Sequence, residues 1–411
     1  MISYIRHCRI CKSKDIKTFF NLGMQPLANS LLKTLEEKEK FYPLSLSWCQ
    51  DCNLVQLNET VDPKELFLEY IWVTATSQTA RDYAEEFFQE LTKRTGNKKQ
   101  DYVLEVASND GTFLIPFLRQ GYEVLGIDPA KNIVEIAESQ GIPTKCLFFG
   151  AKTAKELVKE KGTAPIIFAR NVLPHVANTR DFVEGLEIAL ADDGVLAIEI
   201  HYAKKILGEL HYDSIYHEHL CYFTLKSIER LLNDFHLFIY DLRESPISGG
   251  SLIIYAKKYK TKETLVVQTY RNQEKENKVN DFGSWENFAN RAFSHREKLL
   301  DILYDVSKEK GMVAGYGASA RSSTLLNFCR INSNLISIIA DQNPLKQKRF
   351  TAGSHIPIDS PEVVMNRNPR FVLILAWNFA NEIIENLKNK FNYKGGIIVP
   401  LPNKPYLKKI I

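Results

Sequence analysis

The chain has 411 residues, of which 45% are hydrophobic and 25% are charged, and its formal net charge is +4 at pH 7. This composition is typical of a globular protein, and the length predicts two or three domains. Because the charge is spread along the chain instead of forming a basic arm, we expect no nucleic-acid partner. The chain begins without a signal-peptide pattern and has no apolar run long enough for a membrane span, so we expect a cytoplasmic protein with no membrane partner.

Four of the seven cysteines form two Cys-x-x-Cys pairs, Cys8 with Cys11 and Cys49 with Cys52. The two-residue spacer lets both sulfurs of a pair reach one ion, and two such pairs supply the tetrahedron of four sulfurs that structural zinc prefers. Since protein would fill every ligand position, the sequence predicts a structural Zn²⁺ that stabilises a small N-terminal module. Redox-active or merely buried cysteines are the alternative.

A strand-turn-helix-strand pattern follows a helical stretch near residue 90. Residues 102–104 read as a buried strand, Asn109-Asp110-Gly111 as its turn, 112–119 as a helix, and 123–127 as a second strand that ends at Asp128. This is the nucleoside-binding half of a doubly wound sheet, in which the acid accepts hydrogen bonds from ribose hydroxyls. A helix cap is the alternative role of Asp128. The turn lacks Gly-x-Gly-x-x-Gly, which disfavours a dinucleotide and therefore a dehydrogenase.

The alternation of strand and helix continues to about residue 260 and predicts a parallel sheet. Its last two strands, joined through Gly249-Gly250, are expected to form an antiparallel hairpin. The predicted elements are strands at 166–169 and 195–199, a helix at 225–234, strands at 237–242 and 251–255, and a long helical connector at 261–310.

A second α/β unit begins at residue 312. An apolar strand runs into Gly315-Tyr316-Gly317-Ala318-Ser319, and a helix at 322–328 follows. Such a turn presents amide N–H groups and hydroxyls to an anion. Further strands are expected at 336–340, which Asp341 follows, and at 371–375. The chain therefore carries two nucleotide-scale crevices.

One cluster carries acid/base chemistry. Tyr216-His217-Glu218-His219 places a phenol, a carboxylate and two imidazoles within four positions, and these groups suit proton removal near neutral pH. An ordinary polar loop or a metal-binding histidine pair is the alternative. Together with the nucleoside-binding pattern, the cluster indicates a methyl-transfer enzyme.

These segments together resemble the sugar C-methyltransferases of unusual-deoxysugar biosynthesis, which add a methyl branch at C-3 of nucleotide-linked 4-keto sugars. The resemblance covers nearly the whole chain and rests on the order and spacing of its motifs. They are the two cysteine pairs, residues 105–111, Tyr216 to His219 with Tyr222-Phe223, Gly249-Gly250-Ser251, Gly315 to Ala318, and Pro344 through Lys346 to 353–357. The resemblance implies an α/β protein with three parts: a zinc-binding module (1–70), a doubly wound class I methyltransferase domain (71–260), and the connector with a C-terminal α/β domain for the nucleotide-sugar (261–411).

The resemblance also implies roles for individual residues. His219 corresponds to the general base, and the other catalytic residues are Tyr216, Glu218, His175 and Tyr70. The residues expected to bind the cofactor S-adenosylmethionine are Glu105, Ser108, Asn109, Gly111, Asp128, Pro129 and Asn171. Those expected to bind the substrate are Tyr222, Ser251, Tyr316, Ser319, Arg321 and Ser323.

The implied substrate is a dTDP- or GDP-linked keto sugar, the implied setting is lipopolysaccharide or O-antigen biosynthesis, and we expect a monomer or homodimer. The chain departs from its relatives at Arg321, where they tend to have lysine, and in a bulkier segment after Tyr70.

Two alternatives to this function stay open. One is a sugar O- or N-methyltransferase, which needs no base strong enough to form an enolate. The other is a nucleotide-sugar-binding protein without catalysis.

Overall fold

The N-terminal module is a small antiparallel structure that contains both cysteine pairs. The computed structural model describes residues 2–68, 73–76, 78–96, 102–245, 250–309 and 311–409. Within the module, β2, β3 and β4 pair in that order, and β1 pairs with β5. Its elements are β1 (Ile2–Tyr4), β2 (Ile16–Pro26), β3 (Phe41–Cys49), β4 (Val55–Leu57), β5 (Glu59–Val61) and α1 (Pro63–Phe67).

The two cysteine pairs lie in turns of the same geometry. The Lys12 N–H donates to the Cys8 carbonyl over 3.2 Å, and the Asn53 N–H donates to the Cys49 carbonyl over 3.0 Å. Lys12 and Asn53 both adopt a left-handed backbone, with φ of 66° and 61°. These matched turns direct all four thiols to one point.

The geometry of the four thiols fits zinc. All four sulfurs lie within 4.8 Å of one another, and the sulfurs of Cys8 and Cys52, like those of Cys11 and Cys49, are 3.5 Å apart. A tetrahedral ion with Zn–S bonds of about 2.3 Å brings its sulfurs to this range of separations. The predicted four-cysteine site is therefore confirmed.

The central domain is built on a seven-stranded sheet in the order β12-β13-β10-β9-β6-β7-β8. Strands β10, β9, β6, β7 and β8 run parallel, and β13 and β12 form the predicted antiparallel hairpin at one edge. The domain contains α2 (Gln78–Thr95), β6 (Tyr102–Val106), α3 (Ile115–Arg119), β7 (Glu123–Asp128), α4 (Lys131–Ser139), β8 (Thr144–Cys146), α5 (Ala151–Lys161), β9 (Ala164–Arg170), α6 (Thr179–Ala189), β10 (Leu190–His201), α7 (Ala203–Glu209), β11 (Cys221–Tyr222), α8 (Leu225–Asn233), β12 (Phe238–Ser245) and β13 (Ser251–Lys257).

Helix α3 is shorter than predicted, and several strands of this domain, β10 most of all, are longer than predicted. Helix α3 begins at Ile115, not at residue 112, because residues 107–114 follow the turn after β6 before a regular helix starts. Gly249 of the predicted Gly249-Gly250 turn lies outside the described part of the chain, which omits residues 246–249. The pairing of Ser245 with Ser251 nonetheless fixes the register of the hairpin.

Strand β11 joins the central domain to the N-terminal module. It pairs with β4 and so extends the module's sheet to four strands. Beside it, the Leu57 N–H donates to the Leu220 carbonyl over 3.0 Å, and the Leu220 N–H donates to the Pro174 carbonyl over 2.7 Å. The segment just after His219 is thus held on both sides.

The predicted long connector consists of two helices, α9 (Leu265–Glu276) and α10 (Phe282–Lys308). They are separate because Lys278 adopts a left-handed backbone, with φ of 51°, which ends the first helix. The connector is also a packing element. The Phe20 ring of the module lies edge-on to Phe288 and Phe293 of α10, with centroids 6.0 and 5.6 Å apart.

The C-terminal domain has its own seven-stranded sheet in the order β16-β17-β15-β14-β18-β19-β20. The five inner strands are parallel, and β16 and β20 are antiparallel edges. The elements are β14 (Val313–Tyr316), α11 (Ala320–Phe328), β15 (Ile338–Ala340), β16 (Arg349–Phe350), β17 (Pro357–Asp359), α12 (Pro361–Met365), β18 (Phe371–Ile374), α13 (Ala380–Asn389), β19 (Gly396–Val399) and β20 (Tyr406–Lys409). Among the described residues, no helix is both long enough and apolar enough to cross a bilayer.

Loss of the zinc ligands should empty the metal site and destabilise the module. We expect about one zinc per chain in the parent protein and none in Cys8→Ser/Cys49→Ser, with a lower melting temperature, because the ion links the two cysteine turns of the module. Metal analysis and thermal unfolding measure both effects. The exposed Cys146 is the matched control, and Cys146→Ser should keep its zinc. An unchanged zinc content in the double variant would refute the assignment.

Candidate active site

The turn after β6 is shaped for a ligand at the carboxyl end of the sheet. Ala107, Asn109 and Gly111 adopt left-handed backbones, with φ of 58°, 50° and 76°. A Cβ on Gly111 would lie 2.9 Å from the Ile142 side chain, so both conformation and space require glycine there. The backbone of this turn therefore packs closely against Ile142.

Asp128 lies at the neighbouring strand end and orders the turn. Its carboxylate accepts the Asn109 N–H over 3.0 Å and the Ala130 N–H over 2.9 Å. A carboxylate has about four lone-pair positions, so acceptor capacity remains for ribose hydroxyls. Pro129 follows and leads into α4.

Two buried polar atoms at this strand end have no partner among the described residues, Glu105 Oε2 and Ser108 Oγ. Burial holds the pKa of Glu105 well above its usual range. Asn171 follows the end of β9, and its side-chain oxygen accepts from Ser251 Oγ over 3.5 Å. These acceptors and hydroxyls fit a nucleoside cofactor that carries an ammonium group and ribose hydroxyls.

Residues 73–75 lie against this turn, a contact that the sequence did not indicate. The Thr74 N–H and hydroxyl both donate to Asn109 Oδ1 over 3.0 Å, and the Ala75 N–H donates to Asp110 Oδ2 over 2.7 Å. The predicted catalytic residue Tyr70 lies outside the described residues.

His219 is held as a neutral base with a defined tautomer. Its Nδ1 is 2.7 Å from the Ser214 carbonyl, which can only accept, so Nδ1 carries the proton. The lone pair is then on Nε2, 2.8 Å from the Tyr216 hydroxyl that donates to it. Burial, with smaller contributions from His175 and Arg321, holds the pKa of His219 well below its usual range. The imidazole is therefore unprotonated at neutral pH.

His175 meets His219 because the hydrogen bond from Leu220 to Pro174 brings their segments together. The ring centroids are 4.7 Å apart and nearly perpendicular. Burial lowers the pKa of His175 to about 4, and its Nδ1 has no partner among the described residues. The structure thus brings together the predicted residues Tyr216, His219 and His175.

Glu218 is contacted from the N-terminal module. Asn29, in the segment after β2, donates from Nδ2 to Glu218 Oε1 over 2.6 Å. Burial raises the pKa of Glu218 to about 7, against the opposing effect of Asn29. Asn29 is a site residue that sequence reasoning missed, since no local pattern links residues 189 positions apart.

Arg321 of the C-terminal domain is anchored beside the same cluster. Its Nε and Nη2 donate to Asp213 over 3.0 and 2.9 Å, and its guanidinium carbon lies 4.6 Å from the centroid of Trp377. The Trp377 indole N–H also donates to Asp213, over 2.7 Å. One edge of the guanidinium, formed by Nε and Nη2, is therefore committed to Asp213.

The other residues predicted to bind substrate lie in three places. Tyr316 ends β14, while Ser319 caps α11 by accepting the Ser322 N–H over 3.2 Å and Ser323 lies in its first turn. Gly317 has φ of 97°, and a Cβ there would be 2.5 Å from Ala376. Tyr222 lies in β11, and its hydroxyl is buried without a partner among the described residues. Ser251 lies beside Asn171 at the predicted cofactor position.

Three family models match successive parts of the chain. They describe a zinc binding domain over residues 8–67, a methyltransferase domain over 78–240 and a C-methyltransferase C-terminal domain over 246–402. The four predicted zinc ligands all fall within the first match.

Full-length similarity is found to the C-methyltransferase NovU of Streptomyces niveus, at 30% identity over 402 residues, which are 97% of this chain and 96% of that protein. Two solved structures match more distantly. Magnesium protoporphyrin IX methyltransferase of Synechocystis PCC 6803 is 16% identical with a TM-score of 0.33, over 43% of this chain and 78% of that one. The 1,6-didemethyltoxoflavin-N1-methyltransferase of Burkholderia thailandensis is 20% identical with a TM-score of 0.33, over 45% and 80%. From the full-length match and the family models, the chain belongs to the C-methyltransferase family and is an S-adenosylmethionine-dependent C-methyltransferase.

Proposed function

We propose that the enzyme methylates C-3 of a dTDP- or GDP-linked 4-keto-6-deoxy sugar through an enolate. The observation that carries this proposal is the fixed tautomer of His219, which leaves the lone pair on Nε2, where it accepts a hydrogen bond from the Tyr216 hydroxyl over 2.8 Å. O- and N-methylation do not need a base strong enough to form an enolate, whereas methylation of a carbon acid does.

The proposed reaction uses the acidity of a C–H bond beside a ketone. His219 Nε2 takes the C-3 proton, and the electron pair of that bond delocalises onto the C-4 oxygen. S-adenosylmethionine, when bound, supplies a methyl group activated by its sulfonium. The new C–C bond forms as the S–CH₃ bond breaks, which leaves the methylated ketone, S-adenosylhomocysteine and one proton on His219. The protein's part is to hold both reactants in line.

The oxyanion of the enolate needs donors, and the cluster contains two. The Tyr216 hydroxyl can donate to the oxyanion once His219 Nε2 has taken the proton, because a protonated Nε2 no longer accepts from it. Glu218 is largely protonated below its pKa of about 7, so its carboxyl can also donate. Because His219 is a weak base in this buried position, stabilisation of the enolate has to offset part of the cost of proton removal. We assign His175, which packs on the His219 ring, to holding the base in place.

Cofactor and substrate approach from opposite domains in this proposal. Glu105, Ser108, Asn109, Gly111, Asp128, Pro129 and Asn171 bind S-adenosylmethionine at the carboxyl end of the central sheet. The diphosphate of the sugar nucleotide lies at the N-terminus of α11, where backbone N–H groups and Arg321 Nη1 favour an anion. Tyr316, Ser319 and Ser323 surround that position.

Removal of the ribose acceptor should weaken cofactor binding. Asp128→Ala deletes charge-assisted hydrogen bonds and is expected to lower the affinity for S-adenosylmethionine by about 1.5–3 kcal/mol. Isothermal calorimetry measures the change. Asp192→Ala is the matched control, because that side chain is fully exposed and only loosely paired with Lys258. If Asp128→Ala binds as tightly as the parent protein, the cofactor has been placed wrongly.

The Asn29 contact predicts a change in pH dependence. Protonated Glu218 is the proposed donor, so activity should fall as pH rises through about 7. The Asn29 hydrogen bond lowers the pKa of Glu218, so Asn29→Ala should raise that pKa and move the alkaline limb of the kcat profile to higher pH. The neighbouring exposed Ser30→Ala is the control and should leave the profile in place. An alkaline limb that stays fixed in Asn29→Ala would exclude Glu218 as its source.

Replacement of the base should abolish most turnover without loss of binding. His219→Asn keeps polarity and much of the size, and we expect kcat to fall by about a hundredfold or more while both ligands still bind. Formation of S-adenosylhomocysteine from dTDP- and GDP-linked 4-keto-6-deoxyhexoses measures turnover, and NMR of the product locates the new methyl group. His217→Asn is the control, since His217 Nε2 is bonded to the Pro43 carbonyl instead. Full activity of His219→Asn would place the base elsewhere, and a methyl group on oxygen or nitrogen would replace the proposed reaction.

A further inference from the structure

Two histidines that the sequence did not single out lie close to the active site. His201 ends β10 and is paired in register with Ser251, while His211 precedes the helical turn Tyr212–Ser214. Their rings stack with centroids 5.7 Å apart, and the His211 ring also lies 4.8 Å from Trp377 of the C-terminal domain. Neither has a role in the mechanism above.

These two rings and one carboxylate form a hydrogen-bonded chain. His211 Nε2 is 3.1 Å from Glu209 Oε2, and His211 Nδ1 is 3.5 Å from His201 Nε2. Because the carboxylate only accepts, His211 carries its proton on Nε2, and its Nδ1 accepts from the N–H of His201. The two hydrogen bonds therefore run in one direction, from His201 through His211 to Glu209.

The two ends of this series of hydrogen bonds, His201 and Glu209, lie in different environments. The Glu209 side chain is 38% exposed, whereas that of His211 is completely buried. His201 is partly accessible, as His175 and His219 are, and its electrostatic interaction with His219 places it near the base. The series of hydrogen bonds thus leads from the neighbourhood of the acid/base cluster to the partly exposed Glu209.

Electrostatic interactions link His201, the inner end of the hydrogen-bonded series, to the base His219. The pKa of His201 is held well below its usual range by burial and then by the charge of Arg321, with smaller electrostatic contributions from His211 and His219. The charge of Arg321 also acts on His219. His201 and the base therefore both lie within the electrostatic influence of Arg321.

We propose that His201, His211 and Glu209 form a relay that carries the proton of each turnover from the active-site cavity to solvent. This inference rests on the proposed enolate mechanism, which leaves one proton on a buried base that must be neutral again before the next cycle. The relay residues do not touch the reacting carbon.

Each transfer in the relay conserves protons. His201 accepts a proton on Nδ1 from the cavity and releases the one on Nε2 to His211 Nδ1, and His211 releases its Nε2 proton to Glu209, which passes it to water. Within the described chain no residue bridges His219 and His201, so cavity water or a sugar hydroxyl makes that first transfer. The rings regain their starting tautomers by rotating or by exchanging protons with water.

The charged groups around His211 and Glu209 favour release of a proton over its retention. Burial lowers the pKa of His211, Glu209 opposes this, and the charge of Arg321 lowers it further, so the ring does not retain an extra proton. The hydrogen bond from His211 lowers the pKa of Glu209, which keeps the outer acceptor ionised. Lys205, 3.7 Å from Glu209 Oε1, and Asp213, which acts on His211, are the other charged groups beside the relay.

Two rates separate a relay from a merely structural role. The first is exchange of the C-3 proton of a dTDP- or GDP-linked 4-keto-6-deoxyhexose with D₂O, without methyl donor, followed by NMR. The second is single-turnover methyl transfer with enzyme in excess, which needs the base but no release of its proton. In His211→Gln and Glu209→Gln, exchange should slow by about tenfold while single-turnover transfer stays within about twofold. Glu244→Gln is the matched control, because Glu244 also faces Lys205, at 3.5 Å, but is not part of the chain.

Three results would overturn the relay. Exchange that stays at the parent rate in both variants would show that the proton leaves by another route. A parallel loss of exchange and single-turnover transfer would assign these residues to positioning the loop, and a thermal melt of each variant tests for misfolding. Equal slowing in Glu244→Gln would indicate a general charge effect. Failure of the proposed function is distinct, because the parent enzyme itself would then show neither exchange nor C-methylation.

Discussion

The buried carboxylate of Asp213 joins the loop that carries the acid/base groups to the C-terminal domain. It receives two hydrogen bonds from Arg321 and one from Trp377, and its own side chain is 1% exposed. Loss of a partner would leave a buried charge uncompensated, which is far more costly than loss of a surface pair. These bonds therefore tie the loop from residue 211 to 219 to the C-terminal domain, and the same loop contains the Ser214 carbonyl that sets the His219 tautomer.

Three parts of the chain meet at this loop, and each changes its electrostatics. The N-terminal module supplies Asn29 to Glu218, the central domain supplies His175 to His219, and the C-terminal domain supplies the charge of Arg321. Burial then keeps the imidazole neutral and brings the pKa of Glu218 to about 7. A neutral base beside a neutral acid is the pairing that proton removal next to a ketone requires. The zinc ion acts at a distance, by holding the sheet whose edge pairs with β11.

The sequence predicted those features that depend on local patterns. Paired cysteines specify their own metal geometry, and alternating apolar strands with a turn at Gly111 specify a doubly wound sheet. The break between α9 and α10 was missed, because helical periodicity continues on both sides of Lys278. Asn29, Thr74, His201 and His211 were missed for another reason: each acquires its role from a partner distant in sequence or from burial. The domain boundaries at residues 70 and 260, and the roles of the individual site residues, stay predictions.

The central claim is that His219 forms an enolate at the carbon beside the ketone, and solvent exchange tests it most directly. The parent enzyme and His219→Asn are incubated in D₂O with the nucleotide-linked 4-keto-6-deoxyhexose and without methyl donor, and NMR follows the C-3 proton. The account predicts that this proton is lost with the parent enzyme and retained with His219→Asn. Retention of the C-3 proton by a parent enzyme that is active in methyl transfer, or loss at equal rates in both proteins, would contradict it.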